Sequence, residues 1–189
     1  MGLELGNTLG TINGNEVYTC QRQPPPFRPH ANVEGEEFYA KYWREMDFLH
    51  PEEVPVVVAS FVAEGVDFDG VVLCTCVHEV KALESMTQFD LAEAMQVNTL
   101  GPLMLVWYLL QHGCMKDGGK VILCGDSRKL DENSMPYTLA KAALPHVFNE
   151  FFRMVRKYAT VRLLRVNCNE FDNDLLVDHL IRLLTVDAG

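Results

Sequence analysis

Apolar positions along this chain follow two alternating patterns. Short, nearly continuous apolar runs such as Val71-Val-Leu-Cys-Thr-Cys76 and Val121-Ile-Leu-Cys124 alternate, from residue 42 onward, with stretches whose apolar residues recur at helical spacing. Runs of the first kind suit strands buried on both faces, and those of the second suit amphipathic helices. The alternation predicts consecutive βαβ units and a parallel sheet, hence an α/β fold.

The pattern places the elements in order. A short helical stretch carries Leu5, Leu9 and Ile12 on one face and stops at Asn13-Gly14; a strand follows over Glu16–Cys20, then the stiff loop around Pro24–Pro26. Phe38–Met46 reads as the next strand, and a helix runs from Pro51 to about Glu64, with proline and acids where a first turn prefers them. Val71–Cys76 is a buried strand. The long helix from Asp90 to His112 should bend at Gly101-Pro102, because proline lacks the amide that the helix needs. Val121–Cys124 is a strand, Pro136 to Tyr158 a helix containing Pro145, Val161–Val166 a strand and Leu175–Leu184 a final helix.

Composition narrows the setting. With 189 residues, 48 % apolar and 22 % charged, the chain suits a single domain over 1–189 with one core. A net charge of -10 argues against nucleic acid and against an anionic membrane surface, both of which call for a basic footprint. The apolar run Leu103–Leu110 is too short to span a bilayer. The six cysteines, several within apolar runs, read as reduced thiols and a cytoplasmic-type compartment. Cys74-x-Cys76 lacks the second ligand pair that zinc needs, and the six histidines show no metal-ligand spacing, so no metal is expected.

The most pointed chemistry is Tyr137-Thr-Leu-Ala-Lys141, which opens a helix just after the strand of Gly119-Lys-Val-Ile-Leu-Cys124. Residues four apart share a helix face, and an ammonium beside a phenol favours the phenolate, which makes the tyrosine a proton donor for carbonyl chemistry.

Taken with the order of the other motifs, the chain resembles the short-chain dehydrogenase/reductase family over nearly its whole length. The likeness rests on Asp47 after a strand, the strand Asp69-Gly-Val-Val72, Val97-Asn98-x-x-Gly101-Pro102 in the next helix, Gly118-Gly-Lys-Val-Ile122, and Tyr137-x-x-x-Lys141-Ala-Ala-Leu144. The resemblance implies a three-layer Rossmann-like parallel sheet with helices on both faces. It also implies that Tyr137 is the general acid, that Lys141 tunes it and holds the nicotinamide ribose, and that Asn98 anchors a proton-relaying water. The family's usual serine is replaced: Asp126 falls nearest that position, as in the pteridine reductase branch, with Ser127 the competing candidate.

The same resemblance marks departures. Met1-Gly2 matches only the end of the family's Gly-x-x-x-Gly-x-Gly loop, so an N-terminally truncated or degenerate copy is expected, without the first central strand, and without the last edge strand after Asp187-Ala-Gly189. Gly2, Gly6, Gly10 and Gly14 read as close packing of one helix face. Leu73-Cys-Thr-Cys76 and Cys168-Asn169 put side chains where a dinucleotide needs bare backbone. Gly2, Arg22, Asp47 and Lys141 are the candidate contacts to NADP or NAD. Arg22 faces either a 2'-phosphate or only solvent, and Asp47 serves either the adenine or the cap of the Pro51 helix. His78 sits nearest the expected substrate cleft.

Two functional readings follow. One is a relative that retains Tyr-x-x-x-Lys with a defective dinucleotide site, weakly active or inactive; the other is an active NADP(H)-dependent carbonyl or pterin reductase. The two long helices carry apolar residues over wide arcs, among them Met95, Leu103, Trp107, Leu110, Phe148, Phe151, Phe152 and Val155; one face covers the sheet, and the surplus suggests a helical interface, which the resemblance implies is the family's usual homodimer.

Overall fold

The computed structural model describes residues 16–22, 42–125, 132–155, 162–167 and 173–185. It is an α/β protein whose parallel sheets are flanked by helices, and it resolves into two compact units, 1–47 with 171–189, and 48–170.

In the larger unit the elements run α1 (Glu53–Glu64), β3 (Phe68–Leu73), α2 (Gln88–Met95), α3 (Gly101–Gln111), β4 (Met115–Gly125), α4 (Met135–Val155) and β5 (Arg162–Asn167). The three strands pair in parallel in the order β3-β4-β5, with Val71 opposite Val121 and Val121 opposite Leu163. Val121, Ile122, Leu123 and Cys124 are all buried, as expected for a central strand covered on both faces. Helix α1 packs against α3, and α2 against α4. Val54, Val58 and Phe61 of α1, Val106 and Leu109 of α3, and Leu144 and Phe148 of α4 form the deepest part of the core.

Local chemistry explains where these helices start and stop. Gly65 ends α1 in the left-handed conformation, φ 69°, and its amide reaches back to the carbonyl of Val62. Helix α2 opens on a capping box: the Thr87 hydroxyl accepts from the Asp90 amide, while the Asp90 carboxylate accepts from the Thr87 amide at 2.7 Å.

The long helix, expected to bend at Gly101-Pro102, is interrupted immediately before that pair. Residues Gln96–Leu100 form a π-type turn in which the Gly101 amide bonds the Gln96 carbonyl. Pro102 has no amide to offer residue 98, so the wider turn takes up the distortion before the proline, which then sits harmlessly in the first turn of α3. Gly101 is required by space: a Cβ there would lie 2.4 Å from Cγ of Phe48.

The smaller unit holds β1 (Thr19–Gln21), β2 (Trp43–Glu45) and α5 (Asn173–Thr185). The two strands pair in parallel, with Thr19 opposite Trp43, and Tyr18 meets Tyr42 edge to face at 5.4 Å. Leu176, Val177 and Leu180 of α5 are buried.

Several boundaries differ from the sequence reading. The strand read over Glu16–Cys20 begins at Thr19, and of Phe38–Met46 only Trp43–Glu45 is a strand among the described residues. The strand read as Val71–Cys76 spans Phe68–Leu73, so Cys74, Thr75 and Cys76 lie beyond it. The apolar run predicted the right segment but not its ends, because Phe68 and Gly70 join the ladder on either side of a register shift at Asp69, which no apolar run marks. Strand β4 likewise extends back through Gly118-Gly119 to Met115. The expected missing central strand, the opening helix with Gly2, Gly6, Gly10 and Gly14, the proline loop, Asp126 and Ser127, and Cys168-Asn169 all lie outside the described residues.

Candidate active site

Three of the residues singled out by sequence meet at the C-terminal ends of β3 and β4, where ligands bind in open parallel sheets. Tyr137 and Lys141 come from the first turns of α4, and Asn98 from the π-type turn. All three are buried.

Asn98 is fully enclosed, and its amide grips one residue twice. Its Oδ1 accepts from the Val77 amide at 3.0 Å, and its Nδ2 donates to the Val77 carbonyl at 3.0 Å. The segment after β3 is thereby pinned to the helix. Thr99 fastens the same turn to α4, since its hydroxyl donates to the Ala140 carbonyl at 2.8 Å, next to Lys141.

The Lys141 ammonium donates to the Thr75 carbonyl at 2.5 Å and to the Cys124 carbonyl at 3.5 Å. It lies 5.8 Å from the centre of the Tyr137 ring, so the four-residue spacing does bring phenol and ammonium into one neighbourhood.

His78 is the residue that sequence reasoning undervalued. Its ring packs against that of Tyr137 at 4.7 Å, and its Nε2 lies 2.9 Å from the Ser134 hydroxyl. No spacing rule could have found this contact, because it joins the segment after β3 to the turn before α4 across more than fifty residues.

Tyr137 also lines a small cleft of about 10 Å³, room for about one water, shared with Val77, Met86 and a charged group of Glu79, Lys81, Asp90 and Glu93. Lys81 bonds both Asp90 and Glu79. The hydrogen bond from Lys81, reinforced by those from Thr87, holds the Asp90 carboxyl down at about 2, and the same contact raises Lys81 above its usual range. With three carboxylates around one ammonium, the cleft disfavours anionic ligands.

Arg22 and Asp47 belong to the smaller unit, where Arg22 Nε lies 3.8 Å from Asp47 Oδ2. The pair is loose, and Arg22 keeps 62 % of its side chain exposed. Asp47 does not cap α1: Glu52 occupies the cap position, and no side chain bonds the helix amides there. A proline at 55 and the turn of residues 48–52 move the helix start away from Asp47.

Among the described residues, no cluster of histidine, cysteine, aspartate or glutamate could hold a metal ion, and no helix is long and apolar enough to cross a membrane. Cys20, Cys74, Cys76, Cys114 and Cys124 are thiols rather than disulfides, and burial pushes that of Cys20 up to about 12.

No protein-family model matches the chain, and no curated protein matches it. Solved structures do. A short chain dehydrogenase family protein from Francisella tularensis superposes with a TM-score of 0.68 at 18 % identity, covering 95 % of this chain and 69 % of its own. A short-chain dehydrogenase from Streptomyces avermitilis gives 0.65 at 19 %, covering 87 % of this chain and 60 % of its own. The landomycin C-6 ketoreductase LanV, solved with bound NADP and rabelomycin, gives 0.57 at 22 %, covering 67 % of this chain and 54 % of its own. The chain thus spans roughly half to seven-tenths of the length of these proteins, and its fold is that of the short-chain dehydrogenases and reductases.

Proposed function

We propose that this chain is a short-chain dehydrogenase/reductase relative that keeps the proton-donor end of the site and has a weakened dinucleotide end. The observation that carries the reading is the convergence of Tyr137, Lys141 and Asn98 at the ends of β3 and β4. A phenol held beside an ammonium can give a proton to a carbonyl oxygen, and general-acid assistance of this kind is worth about a hundred- to ten-thousandfold in rate.

The nicotinamide dinucleotide that this fold implies does not fit the described residues well. Thr75 carries a buried hydroxyl without a hydrogen-bond partner among the described residues, in the segment where bare backbone is wanted. Lys141 spends its ammonium on two main-chain carbonyls, and Arg22 is paired with Asp47. Asn98 commits both ends of its amide to Val77, which makes it a positioning residue for that segment. No hydride step is therefore assigned to this chain.

A fluorescence titration of the protein with NADPH and with NADH tests the reading. No saturable signal up to millimolar dinucleotide is expected; micromolar affinity would overturn it.

A second reading, an NADP(H)-dependent carbonyl or pterin reductase, draws on the same convergence and on the NADP bound in the related ketoreductase fold. It requires turnover of a ketone, aldehyde or dihydropterin that Tyr137→Phe removes. The pteridine branch depends further on Asp126 acting beside Tyr137. In either case the acidic cleft favours a neutral or cationic substrate over a phosphorylated one.

The assembly we propose is a homodimer through the long helices. Leu100, Trp107, Leu139 and Met154 are large apolar side chains left exposed on them, Trp107 by 52 %. Light scattering at micromolar concentration should give twice the chain mass of 21.4 kDa. A monomer would refute it.

A further inference from the structure

Two thiols next to the carbonyls that hold the Lys141 ammonium take no part in the proton-donor chemistry described above. The parallel register sets Leu73 of β3 opposite Leu123 of β4. The next residues, Cys74 and Cys124, therefore face each other across neighbouring strands, and alternation turns both side chains to the side opposite the two leucines. Their Sγ atoms lie 3.2 Å apart. Adjacent strands are about 4.8 Å apart, inside the Cα separation that a disulfide tolerates, and closing to the bond length of about 2.0 Å needs only about 1.2 Å of side-chain movement.

We propose that Cys74 and Cys124 are a reversible thiol/disulfide couple, oxidised by a low-molecular-weight disulfide of the glutathione type. Burial sets the order of events. Cys74 is half-buried and Cys124 only 4 % exposed, so an incoming disulfide meets Cys74 first. The Cys74 thiolate attacks one sulfur of that disulfide, the S–S bond breaks, and one small thiol leaves with a proton. The Cys124 thiolate then attacks Cys74 Sγ, the mixed disulfide breaks, and the second small thiol leaves with the second proton. Two protein thiols are oxidised, and one small disulfide is reduced to two thiols.

The couple sits where it can be felt. The Lys141 ammonium hangs from the carbonyls of Cys124 and of Thr75, the residue after Cys74. A bond between the two cysteines would tie together the two strand ends that cradle this ammonium.

Peptide mapping of the full chain tests the couple. The reduced protein is exposed to oxidised glutathione under native conditions, quenched in acid, alkylated in denaturant and digested without reductant. The expected product is a pair of peptides joined through Cys74 and Cys124, lighter by two hydrogens than the reduced peptides and separated again by dithiothreitol. Cys124→Ser should stop at the first step and leave glutathione attached to Cys74. The proposal is overturned if both thiols are recovered alkylated, or if Cys74 is found joined to Cys76 or Cys114. Should Cys124→Ser fail to fold, the map of the unaltered protein decides alone.

Discussion

The unit that carries Tyr137 and the unit that carries Arg22 use the same pairing of parallel strands, but to different depth. In the larger unit, strands of 6, 11 and 6 residues form a three-stranded ladder, and six consecutive residues of the middle strand, Gly119 to Cys124, are buried. In the smaller unit, two strands of three residues pair, and none of their side chains is fully buried. A two-stranded ladder is marginal by itself, so the smaller unit depends on side-chain contacts such as Tyr18 with Tyr42, and the Tyr42 hydroxyl donating to Glu16. Tyr137, Lys141 and Asn98 thus rest on a deep core, while Arg22 and Asp47 rest on short strands and an exposed ion pair. Chemistry that needs geometry fixed to a fraction of an ångström can persist on the first foundation long after it has lapsed on the second.

Core truncation should separate the units most sharply. Phe148 is fully buried in α4, and Phe148→Ala should cost about 3–5 kcal/mol in denaturant unfolding. A loss below about 1 kcal/mol would mean that this core is not what holds Tyr137 and Lys141 in place.

Asn98→Ala comes next. It leaves the half-buried amide and carbonyl of Val77 without their side-chain partner, for an expected loss of about 1–3 kcal/mol. Hydrogen exchange should localise the effect to the segment after β3; an effect spread evenly over the sheet would argue against Asn98 as its clamp.

A smaller effect should appear in the pH dependence. Asp90 is held at about 2, below its ordinary 3.8, so its contribution is complete above pH 3.8 and is lost as pH falls toward 2. Lys81 is raised above 10.5, so its share is complete below that pH and disappears only in stronger alkali. Asp90→Asn should flatten the acid limb of a thermal-stability profile, and an unchanged limb would remove the pair from the account.

Arg22→Ala should do least. Its side chain is 62 % exposed, and a surface ion pair at 3.8 Å should change stability by less than about 0.5 kcal/mol. If the variant instead lowered NADPH affinity selectively, the smaller unit would regain a nucleotide role and the contrast between the units would narrow.

Much of the larger unit was legible beforehand, and the reasons are physical. Val121–Cys124 and the face of α4 bearing Leu144, Phe148 and Phe151 carry a periodicity that only burial explains. The positions of Tyr137 and Lys141 followed from helical spacing. The ends of β3 did not, because backbone pairing reaches Gly70 and Phe68 across a register shift that no apolar pattern marks. The π-type turn at Gln96–Leu100 falls just before the expected Gly101-Pro102, since the missing amide of Pro102 perturbs the turn before it. Asp47 was open between two roles, and neither strand pattern nor spacing announced its approach to Arg22.

By itself, then, the sequence determined the element types, the parallel α/β class and the pairing of phenol with ammonium, because each depends on periodicity within a single stretch of chain. Only the tertiary structure decided that His78 packs on Tyr137, that Asn98 clamps Val77, that Lys141 hangs from Thr75 and Cys124, and that Cys74 meets Cys124. Those contacts join residues 17 to 66 positions apart. Side-chain burial and strand register bring such residues together, and neither can be read from local pattern alone.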